Sequence, residues 1–98
     1  MTRDEAFAIA GRIAFGHALD KHVTELKEFP TISEPEEFRE MIFDVLLHPD
    51  EERKLERGRR AYWSNKHLTI VIVDPESESN GTAFRPKNGK VYFSFGLQ

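Results

Sequence analysis

The N-terminal part of the sequence carries an apolar stripe with helical spacing. Apolar residues recur every three or four positions between about Asp4 and Lys21, as in an amphipathic helix with one buried face. Thr2 or Asp4 is placed to cap the first turn, where Asp4 and Glu5 also favour the positive end of the helix dipole. We therefore predict a first helix from about Asp4 to Lys21. Its buried stripe consists of Ala6, Ile9, Ala10, Ile13, Ala14 and Ala18.

A second helix is expected after a connector that contains Pro30, which disfavours helix in the residue before it. Ser33, with a glutamate three residues later and Pro35 between them, has the pattern of a helix start. We predict a helix from about Glu34 to His48. Its buried stripe consists of Phe38, Met41, Ile42, Val45 and Leu46.

The charged segment "DEERKLER" follows Pro49. Its residues favour helix over strand, and Gly58 is placed to end it. We expect a short helix from Asp50, closed by Gly58.

After Gly58 the pattern becomes that of β-strands. The segments "RRAYWS" and "HLTIVIVD" predict two strands joined by a tight turn near Asn65. Leu68–Val73 is apolar on both faces, which predicts a central strand covered by helix on one side.

Two further segments complete the expected sheet. "TAFR" predicts a third strand, stopped by Pro86, and "PKNG" has a strong turn signature. "KVYFSFG" alternates, which predicts a fourth strand with Val91, Phe93 and Phe95 on one face and Tyr92 and Ser94 on the other. Helices followed by an antiparallel meander predict an α+β fold, with N-terminal helices packed on a twisted antiparallel sheet of about four strands.

Length and composition narrow the class of protein. The 98 residues predict one domain, 1–98, with a helical part in 1–57 and a β-meander in 58–98. There is no cysteine, which excludes disulfides and thiolate chemistry. No apolar run reaches the ~20 residues that span a bilayer, and the acidic start, broken by Arg12, predicts no signal peptide.

The charge is distributed unevenly. Residues 1–57 contain 8 Lys/Arg against 14 Asp/Glu, a net −6, whereas residues 58–98 contain 6 against 3, a net +3. A local basic surface can bind phosphate on an acidic protein, because the field near a cleft depends mainly on neighbouring charges.

His17, Lys21 and His22 form a cluster near the end of the first predicted helix. Three interpretations remain open from position alone. Cations at this end are favoured by the helix dipole, so the cluster can be surface decoration. It can also be a metal site, although the five-residue spacing of the histidines is poor for one helix. Finally, it can serve acid–base chemistry, because the unperturbed imidazole pKa of ~6.5 lies near working pH.

The chain also contains the residue types that metal-free RNA cleavage needs. A base takes the proton of the 2′-hydroxyl, an acid protonates the leaving 5′-oxygen, and cations and hydroxyl donors stabilise the phosphorane. Trp63 and Phe84 are candidates for stacking an unpaired base. Each residue also has an ordinary structural explanation in a helix end, a strand or the core. The candidates are His17, Lys21, His22, Arg59, Arg60, Thr82, Arg85 and Tyr92.

The ordered series of motifs "GHALDKHV", "EFPTISEPEEF", "RGRRAYW", "LTIVIVDP" and "GTAFRPKNGKVYF" resembles a family of C-terminal toxin domains. These domains occur in contact-dependent growth inhibition proteins and other bacterial polymorphic toxins, and they are similar to the barnase, EndoU, colicin and RelE group of ribonucleases. The resemblance spans nearly the whole chain, from Gly16 to Phe93.

The resemblance implies a metal-independent endoribonuclease toxin without a cofactor, most often one that cleaves tRNA. It implies delivery from a secreted or cell-surface effector into the cytoplasm of a target cell, and a cognate immunity protein. Some similar toxins also need a host factor such as elongation factor Tu.

The resemblance also assigns roles by motif. It implies His22 as general base or acid, with His17 as its partner. Arg59 and Thr82 are the implied contacts to phosphate and transition state, and Tyr92 is a further candidate. The implied substrate contacts are Lys21, Arg60 and Arg85.

Two other classes of function stay open at the level of sequence. A non-catalytic domain of the same fold would bind RNA or a protein partner without cutting it. A small metal-dependent hydrolase would use His17, His22 and nearby carboxylates.

Overall fold

The computed structural model describes residues 1–16 and 29–97. The predicted α+β class is confirmed, because helices accompany one four-stranded antiparallel sheet with the strand order β1-β2-β3-β4. No helix within the described ranges is long and apolar enough to cross a membrane. The elements are α1 (Arg3–Ala14), α2 (Pro35–Leu47), β1 (Glu51–Lys54), a 3-10 turn (Glu56–Gly58), β2 (Arg60–Ser64), β3 (Thr69–Val73), β4 (Gly81–Phe84) and a C-terminal π-helix (Tyr92–Gly96).

The first helix starts where its sequence predicts. The Thr2 hydroxyl accepts a hydrogen bond from the Glu5 N–H at 3.1 Å and so caps the first turn. The helix ends at Ala14, so its predicted continuation through Phe15 and Gly16 is wrong. A Cβ at Gly16 would lie 2.6 Å from the Cβ of Ser79, so glycine permits the end of α1 to approach the β3–β4 loop. The rest of the predicted helix, with Ala18, lies outside the described residues.

The second helix is confirmed within one residue at each end, and its five predicted stripe residues are all buried. Its cap differs from the prediction, because the N-cap is Glu34 and not Ser33. The Glu37 carboxylate accepts hydrogen bonds from the N–H groups of Glu34 and Ser33, at 3.1 and 3.3 Å. This capping box satisfies donors at the helix start that have no partner within the helix.

The charged segment after Pro49 forms strand β1, so the predicted helix from Asp50 is wrong. Pairing with β2 overrides the helical preference of these residues, since β1 supplies the backbone partners that the outer edge of β2 would otherwise lack. Asp50 fixes the register, because its N–H donates to the Trp63 carbonyl at 2.8 Å. Its carboxylate accepts the Asn65 N–H at 2.7 Å. Only the last residues of the segment, Glu56–Gly58, make a helical turn, of the 3-10 type.

The segment "KVYFSFG" is helical, so the predicted fourth strand and its two faces are also wrong. Phe93 and Leu97 are buried, whereas Phe95 is 86% exposed. Phe93 lies within the helix and Leu97 directly follows it, and both join the apolar cluster on the sheet, whereas strand alternation would bury Phe95 with them. Arg53 reaches this segment from β1, and its guanidinium donates to the carbonyls of Phe93 at 2.7 Å and Ser94 at 3.1 Å. The sheet therefore has four strands because β1 joins it, and not the C-terminal segment.

The sheet has two covered faces. On the helix face, Tyr62, Val71 and Ala83 join the buried stripes of α1 and α2 in one apolar cluster. On the opposite face, here called the C-terminal face, Trp63 and Ile70 pack with Phe93 and other apolar residues. Trp63 is 1% exposed, so it belongs to the core and is not a stacking platform for a base.

The attachment of the C-terminal segment to β1 can be tested at Arg53. Substitution Arg53→Met removes two hydrogen bonds from a charged donor, each of a kind that contributes about 1.5–3 kcal/mol. Because Arg53 is half-buried, we expect the free energy of unfolding in urea to fall by about 1.5 kcal/mol. Lys54→Met is the matched control, as Lys54 is exposed on the same strand. Equal destabilisation by both variants would contradict the assigned role of Arg53.

Candidate functional site

The two predicted acid–base residues, His17 and His22, lie outside the described residues, and so does Lys21. Their predicted roles therefore stay predictions. The described candidates are Arg59, Arg60, Thr82, Arg85 and Tyr92, and the structure separates them into two groups.

Arg59 and Arg60 lie where β2 begins, at the end of the sheet far from Arg85. The Arg59 Nε donates to the Glu56 carbonyl at 3.2 Å within its own turn. Arg60 forms an ion pair with Glu52 at 3.2 Å and lies on the helix face, opposite Val73. The strand from Arg60 to the turn that follows Ser64 is about 13 Å long, so these arginines do not join Arg85 in one site.

The cavity beside Arg60 is a poor site for phosphate. It has a volume of about 480 Å³, and its wall contains the carboxylates of Glu5 and Glu52 next to the single guanidinium. Burial raises the pKa of the Tyr62 phenol on the same wall, and the charge of Glu52 adds to this effect. The guanidinium of Arg60 is already paired with Glu52, and Glu5 adds a second carboxylate to the wall, so we do not assign this cavity to a nucleic acid.

Arg85 and Tyr92 line one cavity of about 340 Å³, here called the Tyr92 cavity. The ring of Tyr92 packs edge-on against Phe84 with centroids 5.7 Å apart, and Tyr92 is 38% exposed. Thr82 precedes Phe84 by two residues on β4, opposite Ile72, and therefore shares the C-terminal face with it. The structure thus groups these three candidates around β4. The remaining lining residues are Pro86, Lys87 and Asn88.

The Tyr92 cavity is basic and aromatic. No carboxylate stands among the residues described on its wall, which carries the charges of Arg85 and Lys87. Lys87 is exposed, and within the described ranges it has no carboxylate partner. Lys90, by contrast, is paired with Glu51. Cationic groups beside an accessible aromatic ring are what an unpaired nucleotide needs from a binding site.

Arg85 also lines a second cavity of about 400 Å³, here called the His67 cavity. The Arg85 Nε donates to the backbone carbonyl of His67 at 3.1 Å, and its guanidinium carbon lies 4.7 Å from the ring centroid of Phe29. Arg85 therefore belongs to the walls of both cavities. The other residues lining the His67 cavity are Thr31, Ile32, Glu37, Glu40, Met41, Asp44, Lys66 and His67.

His67 and Asp44 form a hydrogen-bonded pair in this cavity. The Nε2 of His67 lies 2.7 Å from the Asp44 carboxylate, and the Nζ of Lys66 is 3.8 Å from the same oxygen. The side chains of His67 and Asp44 are 21% and 37% exposed, so the pair is open to solvent. This bond joins the last turns of α2 to the β2–β3 turn.

The β2–β3 turn holds His67 through its backbone. The His67 N–H donates to the Ser64 hydroxyl at 3.1 Å, and its carbonyl accepts from the Thr69 hydroxyl at 2.7 Å as well as from Arg85. Leu68 closes the turn at a φ of 52°, in the left-handed region. The backbone N–H and carbonyl of His67 are therefore both hydrogen-bonded, which fixes the backbone from which the ring reaches Asp44.

The pair changes the acidity of Asp44. The hydrogen bond from His67 lowers the pKa of Asp44 below its ordinary value of 3.8, and the charges of His67, Lys66 and His48 act in the same direction against burial. Asp44 is consequently ionised near neutral pH and can only accept hydrogen bonds.

His67, Asp44, Lys66 and Lys87 are absent from the set predicted by sequence. Asp44 borders the buried stripe of α2, and His67 begins a predicted strand, so neither has a local signal of its own. Their 23-residue separation becomes a contact only when α2 packs on the sheet. Lys87 lies two residues after Arg85 in a predicted turn. The two basic residues of "RPK" could therefore have indicated a basic site in the sequence.

A metal site finds no support in the described part of the chain. Residues 1–16 and 29–97 contain no group of three or more His, Cys, Asp or Glu side chains arranged to hold a metal ion. The predicted alternative of a site built on His17 and His22 falls outside these ranges.

Comparison with known proteins identifies no family. No family model matches the sequence, and no curated protein matches it. Among solved structures, the chain is similar to a ribonuclease from Escherichia coli complexed with its inhibitor protein. The match has a TM-score of 0.43 and 20% identity, and it covers 99% of this chain and 100% of that chain. A similarity at this level does not establish a shared activity, so the resemblance to toxin domains stays a prediction.

The hydrogen bond of Asp44 predicts a pH-dependent contribution to stability. Because the folded-state pKa of Asp44 is lowered, its contribution is fully present above the ordinary value of 3.8 and is lost as the pH falls through the folded-state pKa. Asp44→Asn should therefore unfold at a lower temperature than the wild type near pH 7, and the difference should shrink as the pH falls below 3.8. Thermal unfolding across this range measures both effects.

The control for this measurement is Glu40→Gln, which removes an exposed carboxylate from the same helix and the same cavity. We expect no comparable change in its unfolding temperature across this pH range. A difference between Asp44→Asn and wild type that stays constant from neutral to acid pH would contradict the assignment.

Proposed function

We propose that this protein is a metal-independent endoribonuclease toxin that cleaves RNA by attack of the 2′-hydroxyl. The observation that supports the proposal best is the composition of the Tyr92 cavity. Arg85 and Tyr92, which the resemblance to toxin domains implicates, share this cavity with Phe84 and Lys87, without a carboxylate among the described lining residues. Such a site attracts phosphate and offers a ring to a base.

The chemistry of the cavity favours unpaired RNA. Arginine and lysine bind backbone phosphates without reading sequence, whereas an aromatic face requires a base that has left its stack. Tyr92 is accessible at the wall, and Arg85 and Lys87 provide charges on the same wall. The substrate would thus be presented as a loop or a single strand.

The finer part of the proposal concerns the substrate and the reaction. We propose tRNA as substrate, with a 2′,3′-cyclic phosphate and a 5′-hydroxyl as product ends. His22 and His17 retain their predicted roles in proton transfer, and Thr82 retains its role in phosphate contact. Arg59 and Arg60 are left out, because both lie at the end of the sheet far from Arg85 and Glu52 pairs with Arg60.

The proposed biology follows from the resemblance to toxin domains. A cell that makes this enzyme needs a cognate immunity protein, and the enzyme acts in the cytoplasm of a target cell after delivery by a secreted or cell-surface effector. Elongation factor Tu is the proposed host factor for presenting tRNA. Co-expression tests the first point, because a cognate immunity protein should restore growth to cells that produce the active enzyme.

The activity can be measured directly. Purified protein incubated with total tRNA in excess chelator should produce fragments that end in 2′,3′-cyclic phosphate. His22→Ala should lose this cleavage while keeping its unfolding temperature, because the reaction needs an imidazole for proton transfer. A reaction that requires a divalent metal would contradict the proposed class, and full activity in His22→Ala would contradict the assigned residue.

A second candidate function is RNA binding without cleavage. The Tyr92 cavity itself favours it, because its described wall holds cationic, aromatic and amide groups but no imidazole. The tRNA assay separates the two functions. If the protein binds tRNA but produces no tRNA fragments, with or without elongation factor Tu, the result supports RNA binding without cleavage.

Either function predicts a specific salt dependence for Lys87. Lys87→Gln should weaken binding of single-stranded RNA and reduce the slope of log affinity against log salt by about 0.7, the value for one phosphate contact. Lys54→Gln is the charge-matched control, because Lys54 lies on β1 at the opposite edge of the sheet from β4. Fluorescence titration at several salt concentrations measures both slopes. Equal slopes for the two variants would show that the phosphate contact does not lie in the Tyr92 cavity.

A further inference from the structure

The described structure contains an oriented imidazole next to Arg85 that the sequence did not suggest as functional. We propose that His67, held by Asp44, is the general base of the RNA cleavage. This inference rests on the proposed function and extends it, because it adds a catalytic residue to a site so far defined by binding groups.

The geometry of the pair selects one nitrogen of the ring. Nε2 of His67 lies 2.7 Å from the Asp44 carboxylate, which can only accept a hydrogen bond. Nε2 therefore carries the hydrogen in the neutral ring, and Nδ1 carries the lone pair. A carboxylate that fixes the tautomer and orientation of an imidazole is the arrangement that lets the second nitrogen take a proton.

The position of the ring connects it to the phosphate site. Arg85 donates to the His67 carbonyl at 3.1 Å and lines both the His67 cavity and the Tyr92 cavity. A phosphate that contacts Arg85 between the two cavities has aromatic groups on one side and the imidazole on the other. Lys66 is a further cation on the imidazole side, whose wall also carries the carboxylates of Glu37, Glu40 and Asp44. The phosphate is therefore placed at Arg85 toward the Tyr92 cavity, whose described wall has no carboxylate. The 2′-hydroxyl adjoining that phosphate is the group that the reaction must deprotonate.

In the proposed step, the 2′-hydroxyl proton moves to Nδ1 of His67 while the 2′-oxygen forms a bond to phosphorus. The bond from phosphorus to the 5′-oxygen breaks, and the 5′-oxygen takes a proton from a separate acid, for which His22 is the predicted group. His67 thereby takes the place of His17 as the partner of His22 in proton transfer. The products are a 2′,3′-cyclic phosphate and a 5′-hydroxyl, and solvent restores both imidazoles to their starting states.

Asp44 acts through His67 and is a positioning residue. The lowered pKa of Asp44 keeps it ionised across the working range, so the orientation of the ring does not change with pH near neutrality. The charged and titratable groups around the pair combine both signs of charge. They are Glu37, Glu40 and Asp44 from α2, His48 at its C-cap, Lys66 from the β2–β3 turn and Arg85 from the residue after β4.

The test is the pH profile of tRNA cleavage by the full chain in chelator. For wild type, log kcat/KM should rise with unit slope along an acidic limb. In His67→Gln the rate should fall about 100-fold or more and the acidic limb should disappear. Asp44→Asn should lower kcat more than it raises KM, which a loss of structure alone would not do. Added imidazole should restore part of the activity of His67→Gly.

His48→Gln is the control, because it removes the other described histidine, which acts on Asp44 through its charge and not through the hydrogen bond of the pair. Its profile should keep the acidic limb. Loss of the alkaline limb in His67→Gln would make His67 the acid and overturn the inference, as would unchanged cleavage by that variant. If the wild type cleaves and His22→Ala does not, while His67→Gln cleaves normally, the proposed function stands and this inference alone fails. A wild type that cleaves no RNA would overturn both.

Discussion

The packing of α2 on the β2–β3 hairpin is the contact on which the candidate site depends. Five apolar side chains of this helix are fully or nearly buried against a sheet face that includes Tyr62 and Val71. Removing such surfaces from water is the main favourable term in folding, and it fixes the height of the helix above the sheet. Asp44 borders this stripe, so the same packing brings its carboxylate to the β2–β3 turn. The bond to His67 is a consequence of the core, and not its cause.

A second constraint comes from the outer strand and the C-terminal segment, which stabilise each other. β1 is made only of charged residues, which protects an edge of the sheet from pairing with other chains. One of those charges, Arg53, holds carbonyls of the C-terminal π-helix, and another, Glu51, pairs with Lys90. This attachment places Phe93 over Trp63 and sets Tyr92 against Phe84. The Tyr92 cavity therefore depends on β1, although β1 lies at the far edge of the sheet.

The parts of the fold that the sequence predicts are those in which local spacing and packing agree. The stripe of α2 and the apolar run of β3 are examples, since each is buried as its pattern requires. The predictions for β1 and the C-terminal segment are wrong because a tertiary partner determines each conformation. The charged segment becomes a strand because it pairs with β2. The C-terminal segment alternates like a strand in sequence but forms a helical turn whose carbonyls accept hydrogen bonds from Arg53. For the site, residue type was enough to select Arg85 and Tyr92. The His67–Asp44 pair depends on a tertiary contact, which no local pattern encodes.

The protein has a net negative charge, yet the proposed substrate is a polyanion. The two are compatible because many of the carboxylates are paired within the fold. Glu37 caps α2, Glu51 and Glu52 pair with Lys90 and Arg60, and Asp44 pairs with His67. Each of these carboxylates has a hydrogen-bonded or cationic partner, which reduces its repulsion of an approaching phosphate. The cations at the Tyr92 cavity stand on a wall without described carboxylates, and the Debye length of ≈ 8 Å at physiological salt limits the influence of more distant charges. An acidic protein can thus present a basic site, because the interactions that build the fold occupy several of its carboxylates and none of those described lies on the wall of this cavity.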